Sequence, residues 1–138
     1  MPINKIYHPA ALVSAVAYFL WGWLWYGLLF KNQWISLVNL SPSAMNSKDP
    51  VPYIVSFAMA LVLGYATAIA LSHDDDRTAA HGIQFGMFMG VALIASTMLT
   101  NYLFEGRPVA LWLINAGYPV TGLMIIGAII GGWKKKTA

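Results

Sequence analysis

The sequence contains no cysteine and very few charged residues. The absence of cysteine excludes disulfides, thiolate nucleophiles, iron–sulfur clusters and cysteine zinc sites. Charged residues make up 9% of the 138 residues, whereas a soluble domain carries about 25%. The hydrophobic fraction is 59%. This composition indicates an integral membrane protein, and the basic residues are too scattered to form a nucleic-acid-binding surface.

Charge is also missing from four long apolar stretches. The first covers residues 9–30, which as a helix would extend about 33 Å and cross a bilayer core of about 30 Å. The other three cover about residues 52–71, 79–104 and 109–133. Residues 33–40 are apolar enough for a short interfacial helix. We therefore predict a single all-α domain, residues 1–138, that forms an integral membrane four-helix bundle.

Four spans place both termini on the same side of the membrane. Basic residues are more numerous on that side, and the positive-inside rule therefore predicts that both termini are cytoplasmic. The residues on the terminal side are Lys5, Arg77, Lys134, Lys135 and Lys136, against Lys31, Lys48 and Arg107 on the other. We expect the chain to lie in a bacterial inner (plasma) membrane.

The second half of the first span is unusually aromatic. Helical spacing places four of its rings on one stripe, and a tryptophan follows in the next loop. One interpretation is an interfacial aromatic belt that also supplies packing bulk. The other is a wall that binds a lipid, sterol or quinone-like ligand by stacking. The predicted ligand-binding residues are Phe19, Trp23, Tyr26, Phe30 and Trp34.

The same segment carries a sequence signature, Gly22-x-Leu24-Trp25-Tyr26-Gly27-x-Leu29-Phe30, followed by Lys31 and Trp34. In this signature, and in four spans with a tryptophan closing the last, the chain resembles the domain of unknown function 1761 family of small membrane proteins. It departs from the family pattern at Leu28, where a proline is common, and at Lys31, where a glycine is common. The resemblance implies the four-span architecture and brings no activity.

Small residues recur at four-residue intervals in the last three spans. Such stripes allow helices to approach closely within a membrane. The predicted packing positions are Ala60, Gly64, Ala68, Gly82, Gly86, Gly90, Gly127 and Gly131. The glycines of the third span are expected either to seat against the small residues of the second or to mediate contacts between copies of the chain.

Neutral polar side chains occur in the third and fourth spans. An antiparallel hairpin would bring Asn101 and Asn115 within a turn or two of each other. We interpret these amides as interhelical hydrogen-bonding groups. The alternative is a polar substrate path, lined by Thr97, Asn101, Asn115 and Tyr118.

The remaining residues form no recognisable catalytic or metal-binding motif. The loop of His73 and three aspartates has no metal-motif spacing, and we interpret Asp75 and Asp76 as caps of the following helix. The spans contain no Lys, Arg, Asp or Glu, and the chain has no catalytic triad or phosphate-binding loop. We therefore expect no metal, no cofactor and no catalytic activity.

Three functional hypotheses follow. The leading one is a non-catalytic packing or interaction subunit that assembles with itself or with another integral membrane protein. The second is a small oligomeric transporter or channel lined by the amides of the third and fourth spans. The third is a membrane enzyme, or a membrane protein that binds a lipid or another hydrophobic ligand, that uses the aromatic stripe.

Overall fold

The computed structural model describes residues 6–45 and 48–133, and within these ranges the chain is helical, with no strand. The α-helices are α1 (His8–Leu24), α2 (Lys31–Val38), α3 (Pro42–Met45), α4 (Val51–Leu71), α5 (Ala79–Met89), α6 (Ser96–Phe104) and α7 (Val109–Gly132). A π-helical segment, Trp25–Leu29, extends α1. A second π-helical segment, Gly90–Ala95, joins α5 to α6.

Four of the resulting helices are long and apolar enough to cross a membrane: His8–Leu29, Val51–Leu71, Ala79–Phe104 and Val109–Gly132. At 1.5 Å per residue, the shortest of them extends about 32 Å, which exceeds a bilayer core of about 30 Å. The predicted fold class, an all-α four-helix membrane bundle, is confirmed. The chain is a multi-pass integral membrane protein.

α7 is the central helix of the bundle. It packs against α5, α1 and α4, while α1 also packs against α4. Its buried side chains extend along its length, from Leu111 and Ile114 near the start to Ile126 and Ile130 near the end. Because every other span touches α7, its surface determines how the bundle closes.

Glycines bring the backbones of α5 and α7 into direct contact. A Cβ atom on Gly82 would overlap the Gly127 carbonyl, and a Cβ on Gly127 would overlap the Gly82 carbonyl. Cβ atoms on Gly86 and Gly90 would likewise meet the α7 backbone, at Leu123 and Val120 respectively. As the residue number rises along α5 it falls along α7, so the two helices are antiparallel. Small residues at four-residue spacing permit this close approach.

The small residues of α4 pack against α1, and the glycines of α5 pack elsewhere. A Cβ on Gly64 would lie 2.9 Å from both the Ala11 carbonyl oxygen and the Ser14 hydroxyl oxygen of α1. Ala60 and Ala68, on the same stripe, are buried. The expected contact between the α5 glycines and the α4 stripe is therefore not observed. The α5 glycines pack against α7 instead, because the α7 glycines allow backbone contact.

The two described ends of the chain meet at one end of the bundle. The ring centroids of Tyr7 and Trp133 are 6.1 Å apart, and Arg77 at the same end donates from Nε to the Ile130 carbonyl. Of the residues behind the predicted orientation, Lys5 and Lys134, Lys135 and Lys136 lie outside the described residues. The cytoplasmic location of this end stays a prediction.

The N-terminus of α5 is capped by Thr78 and not by Asp75 or Asp76, the two residues expected. The Thr78 hydroxyl accepts a hydrogen bond from the His81 backbone N–H at 3.2 Å. Asp74 instead orders the loop, because its Oδ1 accepts from the Asp76 backbone N–H at 3.0 Å. Thr78 immediately precedes the helix with an extended backbone, which is the geometry of an N-cap.

The glycine contact between α5 and α7 gives a first test. We expect Gly82→Ala to lower the stability of the bundle by about 1–3 kcal/mol, since the new methyl group overlaps backbone that cannot rotate away. The matched control is Gly27→Ala, because a Cβ at Gly27 meets nothing within 4 Å. Thermal unfolding in mild detergent measures both variants. An unchanged midpoint for Gly82→Ala would contradict the contact.

Candidate functional site

A groove lies between the first span and the start of α4, at the end of the bundle opposite the chain ends. It consists of two adjoining cavities of about 600 and 440 Å³. The cavities share the residues Trp23, Tyr26, Gly27 and Tyr53. Their volumes lie within the range of small-molecule sites, about 300–1,000 Å³. We call this feature the aromatic groove.

The two cavities differ in chemistry. The outer cavity contains the charged residues of the groove and is lined in part by residues that connect the first two spans. Its remaining lining residues are Lys31, Trp34, Ile35, Leu40, Ala44, Asp49 and Pro52. The inner cavity has no Lys, Arg, Asp or Glu in its lining, and its remaining residues are Phe19, Gly22, Ser56 and Tyr118. The groove therefore passes from a charged mouth to an apolar interior within the span.

Four of the five predicted ligand-binding residues line this groove: Phe19, Trp23, Tyr26 and Trp34. The fifth, Phe30, packs against Trp25 with a centroid distance of 4.5 Å. The difference arises from the π-helical segment, which takes more residues per turn than an α-helix and so rotates Phe30 off the stripe. Phe30 also leaves helical geometry, with φ −123° and ψ 20°.

The amide of Asn115 holds two walls of the groove in place. Its Oδ1 accepts hydrogen bonds from the Tyr26 hydroxyl at 3.0 Å and from the Trp34 indole N–H at 3.2 Å. Its Nδ2 donates to the Tyr102 hydroxyl at 2.7 Å. One side chain thus connects the first span, α2 and α6 to α7. Three of the four hydrogen-bonding positions of the amide are used.

Other aromatic side chains of the first span also bond to α7. The Trp21 indole donates to the Thr121 hydroxyl and the Trp25 indole donates to the Ile114 carbonyl, each at 2.9 Å. These polar tips find acceptors inside the protein, as a low-dielectric membrane requires. Trp23 differs, because 66% of its surface is exposed at the rim of the groove.

The four residues of the predicted polar path do not lie together. Asn115 and Tyr118 face the interior, where the Tyr118 hydroxyl donates to the Tyr18 carbonyl at 3.1 Å. Thr97 and Asn101 are exposed on the outer surface of α6. Neither of the two cavities of the groove includes Thr97, Asn101 or Asn115 in its lining.

The second π-helical segment accounts for this separation. In a regular helix, Thr97 and Asn101 would continue the stripe of Gly86 and Gly90 that faces α7. One additional residue in the segment rotates everything after it by about 100°, and Tyr102 becomes the buried residue. Sequence reasoning missed Tyr102 because a single π-turn leaves no recognisable pattern.

A protein-family model matches the chain over residues 9–131, a range that includes all or most of each of the four spans. The family is described as protein of unknown function (DUF1761). The chain belongs to the DUF1761 family. The resemblance seen in the signature around Leu24 to Phe30 is thereby confirmed. Comparison of this DUF1761 protein with curated proteins and with solved structures gives no match.

The amide network of this DUF1761 protein gives a second test. Asn115→Leu removes three hydrogen bonds, each worth about 0.6 kcal/mol in a membrane protein, so we expect a loss of about 2 kcal/mol in unfolding free energy. Gln84→Leu is the matched control, because Gln84 carries the same amide group and is exposed on α5. Unfolding in mixed detergent micelles compares the two variants with the wild type. Equal stabilities would contradict the role of Asn115.

Proposed function

We propose that this DUF1761 protein is a non-catalytic membrane protein that binds a lipid or a similar hydrophobic ligand from the bilayer in the aromatic groove. The main support for the proposal is that the two cavities are continuous. Together they extend from a charged mouth to an apolar interior. Binding sites for small molecules are typically concave, mostly apolar and supplied with a few placed polar groups.

The fixed aromatic wall supports this function. Tyr26 and Trp34 are held by Asn115, and their rings are 5.8 Å apart in an edge-to-face arrangement. A ligand that packs against such rings does not have to order them, and this lowers the entropic cost of binding. Preorganisation of this kind supports a binding wall.

The rim of the groove is suited to entry from the membrane. Trp23 and Tyr53 stand on opposite helices and expose 66% and 65% of their surface. In a membrane these rings contact lipid, and tryptophan and tyrosine are favoured at headgroup depth. With the predicted orientation, the mouth opens into the outer leaflet of the bacterial inner membrane.

A second candidate function, self-association, is favoured by a polar stripe on α6. Ser96, Thr97, Thr100 and Asn101 are exposed on this helix. The Asn101 amide has both donors and an acceptor, so the same amide of a second copy is a matching partner. This surface corresponds to the interaction-subunit hypothesis. The transporter hypothesis receives less support, because three of the four predicted path residues are absent from the linings of both groove cavities.

The stripe predicts an oligomer that depends on one amide. We expect the wild-type protein to give a dimer in native mass spectrometry, and Asn101→Leu to shift it to the monomer by removing the paired amides. Thr100→Val, one residue away, serves as the control for a general change of polarity. If Asn101→Leu leaves the dimer fraction unchanged, this second function is contradicted.

Filling the groove tests the first function. Gly27 lines both cavities, and a Cβ at this position meets nothing within 4 Å. We therefore expect Gly27→Leu to occupy the groove without disturbing the fold, and Gly27→Ala to leave most of it open. Native mass spectrometry after extraction from phospholipid vesicles should show retained lipid in the wild type and Gly27→Ala, and a large loss in Gly27→Leu. Equal retention in all three proteins would contradict the proposal.

A further inference from the structure

The charged mouth of the aromatic groove indicates what kind of lipid it accepts; this inference rests on the proposed function. Lys31 and Asp49 line the same outer cavity, together with the aromatic rings of Trp23, Trp34 and Tyr53. A ligand that fills the outer cavity therefore meets one cation, one carboxylate and several ring faces. No part of the apolar interior offers comparable chemistry.

The carboxylate of Asp49 has a defined place in this mouth. Its Oδ1 accepts a hydrogen bond from the Val51 backbone N–H at 3.0 Å, which fixes the side chain at the start of α4. A carboxylate that accepts hydrogen bonds still carries its negative charge, and this charge attracts a cationic ligand group. The negative charge is thus anchored beside the groove by the helix that forms one of its walls.

Aromatic rings around a carboxylate are suited to a cationic amine. An ammonium group over the face of tryptophan or tyrosine is attracted by the ring quadrupole, and tryptophan is the strongest of these partners. The outer cavity supplies Trp23, Trp34, Tyr26 and Tyr53. A purely anionic headgroup would place its charge against Asp49, whereas an ammonium group is attracted by both the carboxylate and the rings.

Lys31 supplies the complementary charge. It lies at the first position of α2, at the same mouth. A lysine ammonium interacts with phosphate as a compact point charge. A headgroup with phosphate and ammonium in one molecule satisfies both Lys31 and Asp49, which neither a neutral lipid nor an anionic lipid does.

We infer that the aromatic groove binds a zwitterionic phospholipid of the surrounding bilayer. Its phosphate lies at Lys31, its ammonium lies at Asp49 among the aromatic rings, and an acyl chain occupies the inner cavity beside Phe19 and Tyr118. Two opposite charges thus select the headgroup class, and the apolar interior accepts acyl chains without selecting among them.

Lipid competition tests this inference on the full chain. The protein is reconstituted in vesicles of equal phosphatidylethanolamine and phosphatidylglycerol, extracted in mild detergent and examined by native mass spectrometry. A second set of vesicles contains phosphatidylcholine in place of phosphatidylethanolamine. We expect the wild type to retain the zwitterionic lipid over phosphatidylglycerol by about tenfold in both sets, a preference of about 1.4 kcal/mol.

Two variants separate the charges. Asp49→Asn keeps an oxygen that can accept from the Val51 N–H, and should reduce the preference about fivefold by removing the charge. Lys31→Gln should lower retention of both phospholipids. Glu105→Gln removes a carboxylate outside the two groove linings and should have no effect.

The outcomes distinguish the two levels of the proposal. Retention in proportion to the vesicle composition, or enrichment of phosphatidylglycerol, would overturn the headgroup inference while lipid binding in the groove stands. An unchanged preference in Asp49→Asn would overturn it as well. Failure of the wild type to retain any lipid, or full retention by Gly27→Leu, would remove the proposed function itself.

Discussion

The hydrogen bonds of the Asn115 amide hold together the end of the bundle opposite the chain ends. A membrane interior offers no water to polar side chains, so each indole N–H and phenol hydroxyl there needs a partner within the protein. Asn115 satisfies Tyr26, Trp34 and Tyr102 at once. In doing so it fixes α2 against α7, and residues of α2 line the outer cavity of the groove.

The groove itself results from a contrast between two ends of the bundle. Towards the chain ends, small residues such as Gly64 let α4 approach the backbone of α1. Towards the other end Trp23 and Tyr53 line both cavities, and space remains between the two helices. The close packing near the chain ends therefore gives way to the groove at the opposite end of the bundle. Under the proposed function, the residues predicted for an aromatic belt also form the binding wall.

Much of the fold could be predicted from the sequence, because apolar length and small-residue spacing act through simple geometry. The four spans and the aromatic stripe are of this kind. The partner of each glycine stripe could not be predicted, since that depends on which helix offers a complementary glycine, as Gly127 does for Gly82. The positions of Phe30, Asn101 and Tyr102 depend on two π-helical segments, and one extra residue in a turn is invisible to a 3.6-residue period.

Photo-crosslinking measures directly whether the aromatic groove holds a lipid. A phospholipid with a photoreactive group in its acyl chain is incorporated with the protein in vesicles, and the adducts are mapped by peptide mass spectrometry. If lipid occupies the groove, adducts concentrate at groove residues such as Phe19, Trp23 and Tyr53. Adducts spread evenly over exposed positions such as Phe88 and Leu93, which face outward on other helices, would contradict occupancy of the groove.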